Sequence, residues 1–137
     1  MAFNQKKYNQ SIRGIAVTAC KSSKRRARDK KLPFNLTSNY LESIFPKNCI
    51  CPILGYKMKV SNISLGKLSP TLDRINPKKG YIKGNVEFVT NIANLMMTSA
   101  NGRDIKKFVK WATKRYKITR EELYGKKYNI YKTHKLW

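Results

Sequence analysis

Between Pro70 and Ala100 the chain changes its hydrophobic period repeatedly, and this constrains the fold more than any other feature. Thr71-Leu72-Asp73-Arg74-Ile75 reads as a strand that Asn76-Pro77 ends. Lys78 to Asn85 is a loop holding Gly80 and Gly84. Val86-Glu87-Phe88-Val89 alternates again as a second strand. A helix then opens near Thr90 or Asn91, with Ile92, Leu95, Met96 and Ser99 on one side, and with Met96 and Met97 expected in the core. Strand, loop, strand and helix within about thirty residues make one compact supersecondary unit.

The flanks read as helical. Ser11 is a plausible N-cap for a helix with Ile12, Ile15, Ala16 and Ala19 at helical spacing. That helix runs into a cationic stretch, Lys21 to Lys31, and Leu32-Pro33-Phe34 stops it, because the residue before a proline is pushed out of the α region. Thr37 or Ser38 caps a short helix carrying Tyr40, Leu41 and Ile44, closed by Pro46. Cys51 to Val60 reads as a turn followed by a short strand, and Ser61 to Ser69 as a polar loop. After Gly102 a helix runs to about Tyr116, with Ile105, Phe108, Val109 and Ala112 as a core-facing stripe. Asn101 with Asp104, and Thr119 with Glu122, resemble N-terminal capping arrangements. The expected organisation is a single α+β domain. It has a frayed N-terminus over 1–10, a basic helical lead-in over 11–46 and a strand–strand–helix core over 47–102. C-terminal helices over 103–124 and a basic aromatic tail over 125–137 complete it.

Charge narrows the partners. The 137 residues include 30 Lys plus Arg against 7 Asp plus Glu, a net charge of +23, which points to a polyanion. Apolar residues reach 41%, enough for a modest core rather than a disordered basic tail. No window approaches the roughly 18 apolar residues of a membrane span, so no membrane partner is expected. MAFNQKKYNQ has no apolar signal region, and a cytosol is the expected compartment. Cys20, Cys49 and Cys51, with the single His134, do not form the paired spacing of a closed zinc site, so no structural zinc is expected.

Chemistry has few places to sit. One His at the tail does not support a Ser-His-Asp or Cys-His arrangement, and no phosphate-cradling GxxxxGK[ST] motif occurs. Asp73, at a strand end beside Arg74 and a Lys-rich loop, either pairs with Arg74, caps the turn, or binds a metal. Lys24, Arg25, Arg26 and Arg28 form a run suited to tracking a phosphate backbone.

Leu72-Asp73-Arg74-Ile75-Asn76-Pro77-Lys78-Lys79-Gly80-Tyr81-Ile82-Lys83-Gly84-Asn85-Val86, followed by Ala93-Asn94-Leu95-Met96, resembles the HNH (His-Me finger, ββα-metal) endonucleases, most of all their small phage- and homing-type members. Arg25-Arg26-Ala27-Arg28, Leu32 to Thr37 and Cys51-Pro52-Ile53-Leu54-Gly55 are similar to their lead-in, so the resemblance spans roughly residues 20 to 115. It implies a ββα-metal unit flanked by helices and a metal-dependent hydrolysis of DNA phosphodiester bonds, double-stranded DNA being the expected substrate. It also implies that Asp73 and Asn94 are ligands of one divalent cation, Mg²⁺ or alternatively Mn²⁺, and that Asn85 is the orienting residue. Lys78, Lys79 and Lys83 join the α-helical basic run as DNA contacts.

The family pattern has a general-base His where this chain has Arg74, and a Lys after the helix motif where it has Met97. Arginine stays protonated in proteins and cannot take a proton from water. Either the base is Tyr81, His134 or a hydroxide on the metal while Arg74 clamps phosphate, or the protein is a non-catalytic, degenerate relative that only binds nucleic acid.

Overall fold

In the computed structural model the described residues are Asn4, Lys7, 11–60 and 65–125. The rest of the expected frayed N-terminus, and the tail aromatics Tyr128, Tyr131 and Trp137 with His134, lie outside them. The elements are α1 (Ile12–Asp29), α2 (Ser38–Ile44), β1 (Pro70–Arg74), β2 (Val86–Thr90), α3 (Asn91–Met97), α4 (Gly102–Arg115) and α5 (Arg120–Tyr124). Among the described residues the chain is α+β, with one two-stranded antiparallel ribbon and helices before and after it. Contacts divide it into two units, Met1–Thr98 and Ser99–Trp137. Among the described residues no helix is long and apolar enough to cross a membrane.

In the first unit α1 begins where the Ser11 hydroxyl accepts the Gly14 N–H (3.0 Å). Its buried positions are all small, Gly14, Ala16, Ser23 and Ala27, so its backbone lies close against its neighbours, α2 and β1. The Thr37 hydroxyl caps α2 by accepting the Tyr40 N–H (3.1 Å). In the ribbon Leu72 pairs with Phe88 and Asp73 with Glu87. Phe88 is at the heart of the core, its ring 5.0 Å from that of Phe45, among Leu41, Val89, Cys51 and Met58.

Residues 51–60 do not form the expected strand. The chain turns over Pro52–Leu54 and bonds back on itself, Cys51 N–H to Tyr56 O (2.8 Å) and Met58 N–H to Cys49 O (2.7 Å), leaving only an isolated bridge between Ile50 and Lys57. The start of α3 is held by a loop rather than by a side-chain cap. Asn91 and Ile92 donate to the carbonyls of Ser69 (2.8 Å) and Lys67 (3.0 Å), while the Thr90 hydroxyl donates to Cys51 Sγ (3.4 Å). Only Ala93 of α3 is buried. Leu95 and Met96 are exposed and Met97 is half-buried, which overturns their expected place in the core, because this seven-residue helix reaches both strands through one narrow face.

In the second unit both expected capping boxes are present, Asn101 with Asp104 on α4 and Thr119 with Glu122 on α5. The stripe expected to face a core is not buried. No residue of α4 is buried, and Phe108 is 53% exposed. Its aromatics pack on one another instead, Phe108 on Trp111 (5.6 Å between centroids) and Trp111 edge-on to Tyr116 (6.0 Å).

Candidate functional site

The ribbon register decides the site. Asp73 and Glu87 are direct partners across β1 and β2, so both carboxylates project from the same face. Burial raises the pKa of Asp73, against the opposing pull of the Arg74 N–H and guanidinium charge. Burial also raises that of Glu87, and the negative charge of Asp73 raises it further. The ion pairs among the described residues are Arg13–Glu42 and Arg28–Asp29, so neither ribbon carboxylate has a cationic partner within 4.0 Å. Glu87 was missed in the sequence. The alternation of Val86 to Val89 puts it on the face opposite Phe88, but only the register places it beside Asp73.

α3 brings Asn94 to the same ribbon. Its Nδ2 donates to Thr71 Oγ1 (3.2 Å), and that hydroxyl spends its only proton on Val89 O (3.3 Å). The network therefore fixes the amide orientation and leaves Asn94 Oδ1 with no donor among the described residues. Two carboxylates and an amide oxygen are the donor chemistry of a hard divalent cation.

Asn85 is 5% exposed and serves the loop. Its Oδ1 accepts the Asn76 N–H (2.9 Å), and its Nδ2 donates to the carbonyls of Asn76 (2.9 Å) and Gly80 (2.8 Å). Both amide hydrogens are thus committed to backbone and neither reaches residue 74. The loop is further clasped by the lead-in. Tyr81 N–H donates to Pro33 O (2.9 Å), Asn35 N–H to Tyr81 O (3.1 Å) and Lys83 N–H to Asn35 Oδ1 (2.7 Å). Gly80 permits this approach. Its φ is +87°, and a Cβ there would lie 2.6 Å from Pro33 O.

Arg74 leaves the carboxylate face. Its Nη1 donates to Pro77 O (2.6 Å) and its guanidinium lies 5.0 Å from the centroid of the Tyr81 ring. Tyr81, one candidate for the base, is buried, and its hydroxyl accepts from Arg26 Nε (3.0 Å), so it supports arginines rather than meeting solvent water. Lys78 and Lys79 are exposed on the loop, and exposed Lys83 places its Nζ 5.7 Å from the centroid of the Tyr40 ring. The basic run on α1 splits. Lys24, Arg25 and Arg28 are exposed and line a shallow depression with Lys21, Leu32 and Phe34, whereas Arg26 is half-buried and turned to Tyr81.

Comparisons of this chain with protein-family models, with curated proteins and with solved structures found no match, so the site is read from its own residues and geometry.

Proposed function

We propose that this protein is a metal-dependent DNA endonuclease of the HNH type. One observation carries the reading. In a chain with 30 Lys and Arg, two half-buried carboxylates sit side by side on the ribbon and pair with none of the described cations. Such a pair is costly unless a cation joins it, since like charges directly opposite destabilise a ribbon. Asp73 and Asn94 would hold one Mg²⁺, or Mn²⁺ in its place, through oxygen atoms, with Glu87 adding negative potential at the same face. When bound, the cation supplies charge stabilisation to the scissile phosphate and its leaving oxygen.

The other residues bind and position. Asn85 holds the loop that carries Lys78 and Lys79. These lysines and Lys83, with Lys24, Arg25 and Arg28 on α1, provide contacts to phosphates that carry affinity without sequence preference. Arg74 is a phosphate donor, not a proton acceptor.

A second reading, a basic nucleic-acid-binding module without catalysis, is favoured by the absence of an imidazole at position 74. A supercoiled-plasmid assay separates the two. The nuclease reading expects nicking or cutting with Mg²⁺ or Mn²⁺, none in chelator, and loss of cleavage in Asp73→Ala with DNA binding retained. Salt-sensitive binding without cleavage under any of these divalent cations would leave the binding module.

A further inference from the structure

Two guanidinium groups from distant parts of the chain meet on one aromatic ring. Arg26 comes from the last turns of α1 and Arg74 from the end of β1, and their central carbons lie 5.3 and 5.0 Å from the centroid of Tyr81. Their separation is therefore no greater than the sum of those two distances. We infer that Arg26 and Arg74, mounted on Tyr81, form a clamp for the backbone phosphates of a DNA strand lying beside Asp73. This rests on the reading that the ligand is DNA, and it assigns Arg26 a place apart from the rest of its basic run.

The platform is rigid. Tyr81 is 5% exposed, its backbone is bonded on both sides to the lead-in through Pro33 and Asn35, and Gly80 before it leaves no room for a side chain. Each arginine is also fixed at one point. Arg26 uses Nε on the Tyr81 hydroxyl (3.0 Å), and Arg74 uses Nη1 on Pro77 O (2.6 Å). That leaves both terminal amino groups of Arg26, and Nε and Nη2 of Arg74, without a protein acceptor among the described residues. Bidentate donation from pre-oriented guanidinium groups is the geometry that suits a phosphate.

The charges are unmet as well as aligned. Neither arginine has a carboxylate within 4.0 Å among the described residues. The ring face offsets part of each charge but not the repulsion between them. An anion between the two removes that repulsion. The flanking Lys78, Lys79 and Lys83 make an extended polyanion, rather than a single small anion, the fitting occupant.

The test is binding of the full chain to a fluorescent duplex in chelator, measured across a salt series, so that no cleavage step enters. Each lost phosphate contact should reduce the salt slope by about 0.9. Arg26→Gln and Arg74→Gln are each expected to lower it by that amount. Arg26→Lys, which keeps the charge, should keep the slope while weakening affinity through loss of the fork. Tyr81→Phe keeps the ring but frees Arg26, and should weaken binding less than Tyr81→Leu, which removes the mount of both. A wild-type slope in folded Arg26→Gln, with only its melting temperature lowered, would mean that Arg26 merely braces Tyr81, and the clamp is overturned. Should Arg26→Gln fail to fold, an unchanged slope in Arg74→Gln together with unchanged affinity in Arg26→Lys overturns it equally. Absence of plasmid cleavage alongside the expected slopes would remove the nuclease reading and leave the clamp.

Discussion

Asp73 and Arg74 are neighbours on β1, yet each belongs to a like-charged pair with a residue far away in sequence, Asp73 with Glu87 and Arg74 with Arg26. An ion pair within 4.0 Å would have been the simplest use of adjacent opposite charges, and none forms between Asp73 and Arg74. The pleat and the Tyr81 ring draw Arg74 to one side while the register commits Asp73 to the other. On the proposed function, keeping the two pairs apart would give a cation one place and a phosphate another, the two components that a phosphodiester hydrolase brings together.

The sharpest way to break this comparison is to remove the negative half. Asp73→Ala should lower cleavage by about 10³-fold, the scale lost when stabilisation of transition-state charge is withdrawn, while affinity for DNA in chelator stays near wild type. Equal cleavage by Asp73→Ala would detach the carboxylate face from any chemistry.

Next in size is a change that touches neither pair directly. Gly80→Ala forces a side chain into a positive-φ position whose Cβ meets Pro33 O. We expect a loss of about 2 kcal/mol in denaturant unfolding, the scale of such backbone strain. The same variant should flatten the salt dependence of DNA binding, because Tyr81 loses its mount. Wild-type stability would show that the lead-in and the loop are not pressed together in solution.

At residue 74, Arg74→Ala should reduce cleavage by about tenfold, on the order of one charge-assisted hydrogen bond. Arg74→His should retain more activity and acquire an ionisation near neutrality in its pH–rate profile, since an unperturbed imidazole titrates at about 6.5. An unchanged profile in both variants would leave residue 74 without a role in the reaction.

The smallest effect concerns stability. The pKa values of the Asp73 and Glu87 carboxyls are raised from their ordinary values, chiefly through burial. Folding therefore takes up protons between the ordinary and the raised values, and stability falls as pH rises through that window. Glu87→Gln should raise stability at neutral pH by about 0.5 kcal/mol, the size of a like-charge cross-strand penalty, with no gain below the window. Mg²⁺ should raise the melting temperature of the wild type more than that of Glu87→Gln, and chelator should reverse it. If the variant is less stable at pH 7, the two carboxylates do not repel.

The strand–loop–strand–helix succession follows from local period, whereas Asp73, Asn85 and Asn94 are singled out by the resemblance to the HNH endonucleases. Glu87 was not legible as a site residue, and Arg26, expected only as one contact of its basic run, was not legible as the partner of Tyr81. Glu87 gains its neighbour from a hairpin register that skips an eleven-residue loop, Ile75 to Asn85, and Arg26 from a ring 55 positions away. Nor does local pattern distinguish a stripe that is buried from one that is not. Ile105, Phe108, Val109 and Ala112 have ideal helical spacing and none is buried, whereas four of the five residues from Val86 to Thr90 are buried.

The sequence alone determined what short-range physics controls: where helices start, through Ser11, Thr37, Asn101 and Thr119, and where proline and glycine end or bend the chain; it also set the net charge of +23. Hydrogen bonds between residues three apart and steric limits on φ act within a few residues, so a linear reading contains them. Tertiary structure alone decided which charges meet. That choice depends on strand register and on the lead-in closing over the Asn76 to Gly84 loop, where contacts between residues tens of positions apart compete with many alternatives that local pattern does not rank.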